Sequence, residues 1–228
     1  GQFSEGAHTV TLTTYDPAGN AGQLTGSTTF TIDLTAPAAP TVTGLLQGLD
    51  TGISQTDGIT SSAGMSFVGR AEPFASVEWT LRLVSFGGVQ DGVVTADANG
   101  DFRTAFTVAG SGPGEYSFGV VATDLAGNSS FPPTLMPVLL DVTPPDAPTI
   151  TLNAASDTGS NAQDGITSVN TPVLQGTAET GSYISVRIGG VNVGTTTADP
   201  QGDWSYTSAA LADGDYTFSA VASDAAGN

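Results

Sequence analysis

Carboxylate side chains dominate the residues of this chain that could do chemistry. Its 228 residues include 17 Asp and 5 Glu but a single His and no Cys, so a thiol nucleophile, a thiolate metal site or a disulfide is impossible. No G-x-S-x-G motif marks a nucleophilic serine. A pair of carboxylates could serve a glycosidase, but the acidic residues here recur in each copy of an internal repeat. Repetition in a fixed frame favours an architectural role, and we expect no enzyme.

The net charge of the chain restricts its partners. Four Arg and no Lys stand against 22 acidic residues, which gives a formal net charge of −18. Such a surface repels nucleic-acid phosphates and anionic lipids, and no apolar run reaches the ~20 residues of a membrane span. We therefore expect cations as partners, with no nucleic acid and no membrane insertion. Most of the acidic residues are Asp, which suits turns and oxygen-ligand cation sites.

Five motifs recur in the same order and divide the chain into repeats. The motif D-x-T-x-P-x-A-P begins at Asp33 and again at Asp141, 108 residues later. We predict a leading segment (residues 1–32) that forms strands F and G at the end of a preceding repeat. A first full repeat (33–140) and a second repeat (141–228) that stops before its last strand follow. We expect both ends to be cuts in a longer array, or else to complement each other between molecules.

Strand and turn signals alternate every 8 to 12 residues, which is typical of a β-sandwich. Residues 77–83 and 182–188 alternate between apolar and polar side chains. A Tyr precedes a Phe by two residues at 116/118 and at 216/218, as in the corner that enters strand F of the immunoglobulin fold. We predict an all-β chain of tandem immunoglobulin-like β-sandwiches in a linear array. Four aromatic residues are predicted to be buried: Phe102, Trp204, Phe118 and Phe218.

As a set, the motifs resemble the bacterial Ig-like repeats of giant type I-secreted repeats-in-toxin adhesins, or biofilm-associated surface proteins. The set comprises D-x-T-x-P-x-A-P, D-T-G with D-G-I-T, G-T-A-E, T-A-D-x-x-G-D-aromatic and D-x-A-G-N. The resemblance covers nearly the whole chain, although residues 69–72 read G-R-A-E. It implies extender repeats of an extracellular adhesin at the bacterial cell surface, which project a distal binding domain. It also implies calcium at the joints between neighbouring repeats.

Strand direction predicts which acidic residues meet at a joint. The loop between strands A and B of one repeat should face the linker and the B–C and F–G loops of the next. Carboxylates held together would repel one another unless a cation lies among them, and a set of oxygen ligands selects Ca²⁺ over Zn²⁺. The predicted ligands at the middle joint are Asp50, Asp57, Asp141, Glu179 and Asp224. The same frame places Asp33, Glu72 and Asp124 at the upstream joint, and Asp157 and Asp164 at the downstream joint.

Two kinds of alternative remain open at this point. The acidic residues could be turn formers, since Asp-Gly pairs at 57–58, 164–165 and 213–214 suit turns without any metal. For function, a calcium-rigidified stalk competes with a module that binds a glycan or a protein. The candidate site of such a module is the insertion Phe86–Val94, predicted to be an exposed, mobile loop. An accessory domain of a secreted polysaccharide-degrading enzyme is the third possibility.

Overall fold

The described chain consists of β-strands joined by turns and irregular segments. The computed structural model describes residues 3–22, 26–85, 87–108, 112–161 and 163–228, with no account of the side chains of 87–89. No helix occurs within these ranges, so the all-β prediction is confirmed. The same ranges accordingly contain no helix with the length and hydropathy needed to cross a membrane.

The leading segment folds into one antiparallel hairpin. Its strands are β1 (Gly6–Leu12) and β2 (Gly26–Ile32). They pair over their full length, from Gly6 opposite Ile32 to Leu12 opposite Gly26. Almost every side chain of the hairpin is exposed, and neither strand pairs with any other strand among the described residues.

The first full repeat forms two facing sheets. One sheet has the strand order β4-β12-β11-β7-β8, and the other has the order β3-β6-β9, with a short β10-β5 pair beside them. Strand β12 lies between β11, with which it is antiparallel, and β4, with which it is parallel. The strands are β3 (Thr41–Leu45), β4 (Ile59–Thr60), β5 (Gly64–Met65), β6 (Phe67–Arg70), β7 (Ser76–Leu83), β8 (Gly87–Thr95), β9 (Asp101–Arg103), β10 (Phe106–Thr107), β11 (Gly114–Thr123) and β12 (Thr134–Leu140).

The second repeat has the same plan with fewer strands. Its sheets have the orders β13-β14-β17 and β16-β15-β18. By sequence and position these strands match β3, β6, β9, β8, β7 and β11, but the described part of the second repeat contains no counterpart of β12 or β4. The strands are β13 (Thr151–Leu152), β14 (Val173–Thr177), β15 (Tyr183–Ile188), β16 (Val191–Thr197), β17 (Asp203–Thr207) and β18 (Phe218–Ser223).

Alternation along each central strand builds a core between the sheets. In β7 the side chains of Val77, Trp79 and Leu81 are buried and the intervening polar ones are exposed, as the period of two in an extended strand requires. Phe102 and Trp204 are both buried at equivalent positions, as predicted. These side chains belong to two separate clusters, one in each repeat.

The predicted tyrosine corner is present in both repeats. The hydroxyl of Tyr116 donates to the carbonyl oxygen of Gly112 at 2.6 Å, and that of Tyr216 donates to the oxygen of Ala212 at 3.1 Å. In both repeats the acceptor lies four residues upstream of the tyrosine. This bond fixes the turn that leads into β11 or β18.

Two predictions for individual segments were wrong. Phe218 is only partly buried, whereas Phe118 is fully buried. Strand β11 lies between β12 and β7 in its sheet, whereas β18 lies at the edge of its sheet among the described strands. The insertion Phe86–Val94, predicted to be an exposed loop, instead contributes to β8. That strand pairs with β7, from Leu83 opposite Gly87 to Ser76 opposite Thr95. Phe86 itself lies outside the described residues. The extra residues therefore lengthen a hairpin, and the binding-module hypothesis loses its candidate loop.

Candidate functional site

The A–B loop of the first full repeat, residues 46–58, holds a buried carboxylate. Asp50 is 1% exposed. Its Oδ2 accepts a hydrogen bond from the Gly58 N–H at 3.1 Å, and its Oδ1 is buried with no hydrogen-bond partner among the described residues. Burial raises the pKa of Asp50; the Gly58 N–H opposes this rise and the neighbouring Asp57 carboxylate adds to it. The loop therefore holds a buried carboxylate of which only one oxygen accepts a hydrogen bond.

The second repeat contains the same arrangement. Asp157 is 7% exposed, and its Oδ2 accepts from the Gly165 N–H at 3.3 Å. Its Oδ1 is likewise buried without a partner in the described part of the chain. The exposed neighbours differ in role, since Asp57 and Asp164 each accept the N–H two residues ahead, from Ile59 and Ile166, at 3.0 Å. Asp57 and Asp164 thus form turns, whereas Asp50 and Asp157 keep one oxygen free of hydrogen bonds.

The D-x-A-G-N motif forms a loop that its own Asp organises. In the first full repeat Asp124 Oδ1 accepts from the N–H groups of Ala126 and Asn128 at 2.8 and 2.9 Å. Its Oδ2 accepts from the Asn128 side-chain amide at 2.9 Å, and this bond lowers the pKa of Asp124. The second repeat has the same bonds between Asp224 and Asn228. These carboxylates therefore already serve as turn formers.

The Asn of that motif also connects the F–G loop to the linker that precedes the repeat. The Asn128 side-chain amide donates to the backbone oxygen of Asp33 at 3.1 Å, and that of Asn228 donates to the oxygen of Asp141 at 2.9 Å. The linker carboxylates themselves accept the N–H two residues ahead, from Thr35 and Thr143. We call this connection the asparagine latch. Sequence reasoning missed it, although the recurrence of D-x-A-G-N was visible.

The A–B loop of the first full repeat contacts the F–G loop of the second. The Thr51 hydroxyl donates to the Ala226 carbonyl oxygen at 2.5 Å. A Cβ built on Gly52 would lie 2.0 Å from the oxygen of Ala225, so only glycine fits there. The two loops that were predicted to face each other are therefore in contact, through the Thr and Gly of the D-T-G motif.

The predicted ligands come together only in part. The structure joins Asp50 with Asp57, and it brings the Asp224 loop against their loop. The side chains of Glu72 and Glu179 are exposed. Within the described ranges no three Asp, Glu or His side chains lie close enough to hold a metal ion. What the joint offers a cation is a buried, half-satisfied carboxylate in the loop that contacts the next repeat.

Solved structures that resemble this chain are distant in sequence. No curated protein matches the chain. A solved tetra-tandem repeat in the extending region of a large adhesion protein is 24% identical to this chain, with a TM-score of 0.41. The match covers 98% of this chain and 54% of the solved one, so this chain spans about half the length of that structure. The BSP domain of a biofilm-associated protein is 15% identical (TM-score 0.28; 82% and 27% covered). The α-2-macroglobulin of E. coli is 9% identical (TM-score 0.35; 88% and 15% covered).

The family assignment depends on the sequence match to a family model. The model of the bacterial Ig-like domain matches residues 36–141 and again residues 143–228. These two matches cover most of the chain and coincide with the two sandwiches described above. The chain belongs to the bacterial Ig-like domain family.

Proposed function

We propose that this chain is part of the extracellular stalk of a secreted bacterial surface adhesin. In this proposal Ca²⁺ at each joint fixes the angle between neighbouring repeats, so that the stalk projects a distal binding domain for adhesion to a cell or surface. One observation carries the calcium part: the buried Asp50 leaves Oδ1 without a partner, in the loop that contacts the next repeat.

The residues at the joint fit a hard cation. A buried carboxylate oxygen without a donor is costly, and a bound cation would offset that cost. Carboxylate and carbonyl oxygens are the ligands that Ca²⁺ takes, whereas Zn²⁺ favours thiolates and imidazoles, which these loops lack. The same unpartnered oxygen on Asp157 means that the feature repeats with the domain, as a joint ligand should.

The ligand sets proposed for each joint follow the repeat frame. Asp50 anchors the middle joint, and binding would require the exposed Asp57 and Glu179 to turn toward it and the buried Asp224 to exchange hydrogen bonds with Asn228 for the cation. The partners at this joint are Asp57, Asp141, Glu179 and Asp224. Asp33, Glu72 and Asp124 would serve the upstream joint, and Asp157 and Asp164 the downstream one. Bound Ca²⁺ would supply positive charge between two repeats of a chain whose net charge is −18.

The test compares Ca²⁺, Mg²⁺ and chelator on the same protein. We expect the melting temperature to rise with Ca²⁺, because a ligand that binds only the native state stabilises it by mass action. Mg²⁺ should have a smaller effect, since it dehydrates reluctantly and demands octahedral geometry. Small-angle scattering should give a narrower distance distribution with Ca²⁺ than in chelator. If both measurements are indifferent to Ca²⁺, the calcium mechanism is wrong.

A matched pair of variants identifies the ligands. Asp57 and Asp213 are both exposed and each precedes a Gly, but only Asp57 lies at the joint. We expect Asp57→Asn to reduce the response to Ca²⁺ and Asp213→Asn to preserve it. Asp141→Ala should reproduce the scattering of the chelated protein. Antibodies against this segment should label intact bacteria if the stalk is extracellular, and label only lysed cells if it is not.

A further inference from the structure

An exposed phenylalanine of the first full repeat has a backbone conformation that favours glycine. Phe74, in the turn between β6 and β7, has a φ of +65° and is the one non-glycine residue with a positive φ in the described part of the chain. In the second repeat the equivalent residue is Gly181, with a φ of +77°. Phe74 is 53% exposed, so burial in the core does not offset the strain of a bulky residue in this region. Such strain is concentrated at functional sites.

The exposure of this position does not depend on what precedes the repeat. At the middle joint the preceding repeat is in place, and its A–B loop contacts the second repeat at Ala225 and Ala226. A Cβ built on Gly181 nevertheless meets nothing within 4 Å. The turn between β14 and β15 thus stays open beside an occupied joint. By equivalence, the turn that holds Phe74 is open to a ligand when a repeat lies before it.

A polar groove adjoins this turn, on the sheet formed by β3, β6 and β9. The groove has a volume of about 440 Å³, and its charged lining comprises Arg70, Asp97, Asp101 and Arg103. The Phe74 N–H donates to the backbone oxygens of Ala96 and Asp97 at 3.2 and 3.4 Å. These bonds fasten the turn that carries the aromatic ring to the turn that carries Asp97, so the ring borders the groove.

Hydrogen bonds hold the charged groups of the groove in place and leave part of their capacity unused. Arg70 Nε donates to Asp101 Oδ1 at 2.9 Å, and Arg70 Nη2 donates to the Asn99 oxygen at 2.6 Å. Asp97 Oδ1 accepts the N–H groups of Asn99 and Asp101 at 2.8 and 2.9 Å. Arg103 donates only through Nε, to a serine hydroxyl at 3.1 Å, among the described residues. Its terminal amino groups and Oδ2 of Asp97 therefore remain for a ligand.

The second repeat lacks this combination of residues. Its equivalents of Phe74, Arg70 and Arg103 are Gly181, Thr177 and Ser205, whereas both aspartates of the groove are retained as Asp199 and Asp203. The same sandwich therefore forms without the aromatic ring and without the two guanidinium groups. Half of the four Arg of the chain lie in this one groove. Residues that the fold does not require, gathered at one place, point to a ligand rather than to architecture.

We propose that this groove, together with the ring of Phe74, binds a neutral hexose unit of a polysaccharide or glycan. The C–H face of a sugar ring packs on an aromatic side chain, which is a large apolar surface. Sugar hydroxyls both donate and accept, so they pair with guanidinium donors and carboxylate acceptors. Two Arg and two Asp give the groove no net charge, and a chain of charge −18 repels an acidic sugar polymer. This inference does not depend on calcium.

Phe74→Gly separates binding from folding. Glycine adopts a positive φ without strain, as Gly181 does at the equivalent position, so the variant should melt at or above the temperature of the unmodified chain while it loses the sugar. Arg103→Gln removes the donor with unused amino groups and should weaken binding. Arg82→Gln is the matched control, because Arg82 is equally exposed but lies on β7 in the other sheet. It should bind like the unmodified chain.

The measurement uses the full chain on fluorescent beads, for multivalent display, over immobilised oligosaccharides of glucose, galactose and mannose, with uronic-acid oligosaccharides alongside. We expect retention on at least one neutral sugar, about tenfold lower for Phe74→Gly and several-fold lower for Arg103→Gln. The free sugar should shift the backbone amide resonances of residues 70–74 and 97–103. Retention on no neutral sugar, or on acidic sugars alone, would overturn the proposal. So would undiminished binding by Phe74→Gly, or a marked fall in its melting temperature, which would show that the ring serves the fold.

Discussion

The Thr51 hydroxyl donates a hydrogen bond to the carbonyl oxygen of Ala226, 175 residues further along the chain. The same hydroxyl accepts the N–H of Ser61 at 2.7 Å, which ties the A–B loop to the residue that follows β4 as well as to the next repeat. Thr51 directly follows Asp50, so the contact between repeats and the buried carboxylate share one short loop. Any change in the charge of Asp50 is therefore placed to affect the joint.

Gly52 tests how closely the two repeats must approach. Its φ is +89°, and a Cβ there would lie 2.0 Å from the Ala225 oxygen. We expect Gly52→Ala to open the joint, with a broader distance distribution in small-angle scattering. Gly159→Ala is the matched control, because the equivalent Gly159 also has a positive φ, +111°, but has nothing within 4 Å of its Cβ. Both variants should lose roughly 1–3 kcal/mol to backbone strain, but only Gly52→Ala should broaden the distribution.

The asparagine latch predicts a stability difference between equivalent residues. Asn128 bonds both to Asp124 and to the linker oxygen of Asp33, whereas Asn20 makes the matching bond to Asp16 in the exposed leading hairpin. Loss of the bond to the linker should cost about 1 kcal/mol, the usual net worth of one hydrogen bond. In urea unfolding Asn128→Ala should destabilise the first full repeat, and Asn20→Ala should leave it unchanged. Equal midpoints for the two variants would show that the latch contributes nothing.

The sequence predicted those parts of the fold that depend on local patterns. The alternation of apolar and polar side chains over residues 77–83 identified the strand that is β7, and the spacing of Tyr116 and Phe118 identified the corner before β11. The meeting of the A–B and F–G loops followed from strand direction alone. These features are readable because each depends on residues close together in the chain or on the repeat frame.

Features set by long-range pairing were not readable. The Gly-rich sequence of β8 is typical of a loop, because local sequence does not show that this segment pairs with β7. Burial of Phe218 depends on a covering strand, which its own sequence cannot reveal. The second role of Asn128 required knowing that its amide reaches a backbone oxygen 95 residues away. Whether the acidic residues bind calcium stays a prediction.

The difference in burial between Phe118 and Phe218 should be measurable as a difference in the free energy of unfolding. Phe118 is fully buried and stacks on Phe67 with ring centroids 3.9 Å apart, so Phe118→Ala should cost about 3–5 kcal/mol. Phe218 is only partly buried, and Phe218→Ala should cost about 1–2 kcal/mol, in proportion to the smaller apolar area removed from water. Urea unfolding at low protein concentration, followed by Trp79 and Trp204 fluorescence, reports each repeat. Equal losses would mean that β18 is covered in solution.

The pH dependence of the first full repeat should have two limbs with opposite signs. Burial raises the pKa of Asp50 above its ordinary value. The native state therefore binds a proton at Asp50 more tightly than the unfolded state does. In chelator, the free energy of unfolding should rise as the pH falls through that raised pKa. Hydrogen bonds lower the pKa values of Asp97 and Asp124. Their contribution is present above the ordinary Asp value and is lost as the pH falls further, through their lowered pKa values. The melting temperature in chelator should therefore pass through a maximum on the acid side of neutrality.

Asp50→Asn separates the two limbs, because it removes the buried charge and keeps a side chain of the same shape. In chelator the variant should be at least as stable as the unmodified chain at neutral pH, with no gain on mild acidification, while the loss of stability at lower pH remains. With Ca²⁺ present the order should reverse, because the variant has lost the anchoring carboxylate and the unmodified chain has its charge compensated. Melting curves in chelator and in Ca²⁺ across this pH range measure both effects. If Asp50→Asn destabilises the protein equally in chelator and in Ca²⁺, Asp50 acts only through its hydrogen bond to Gly58, and its charge has no part in the joint.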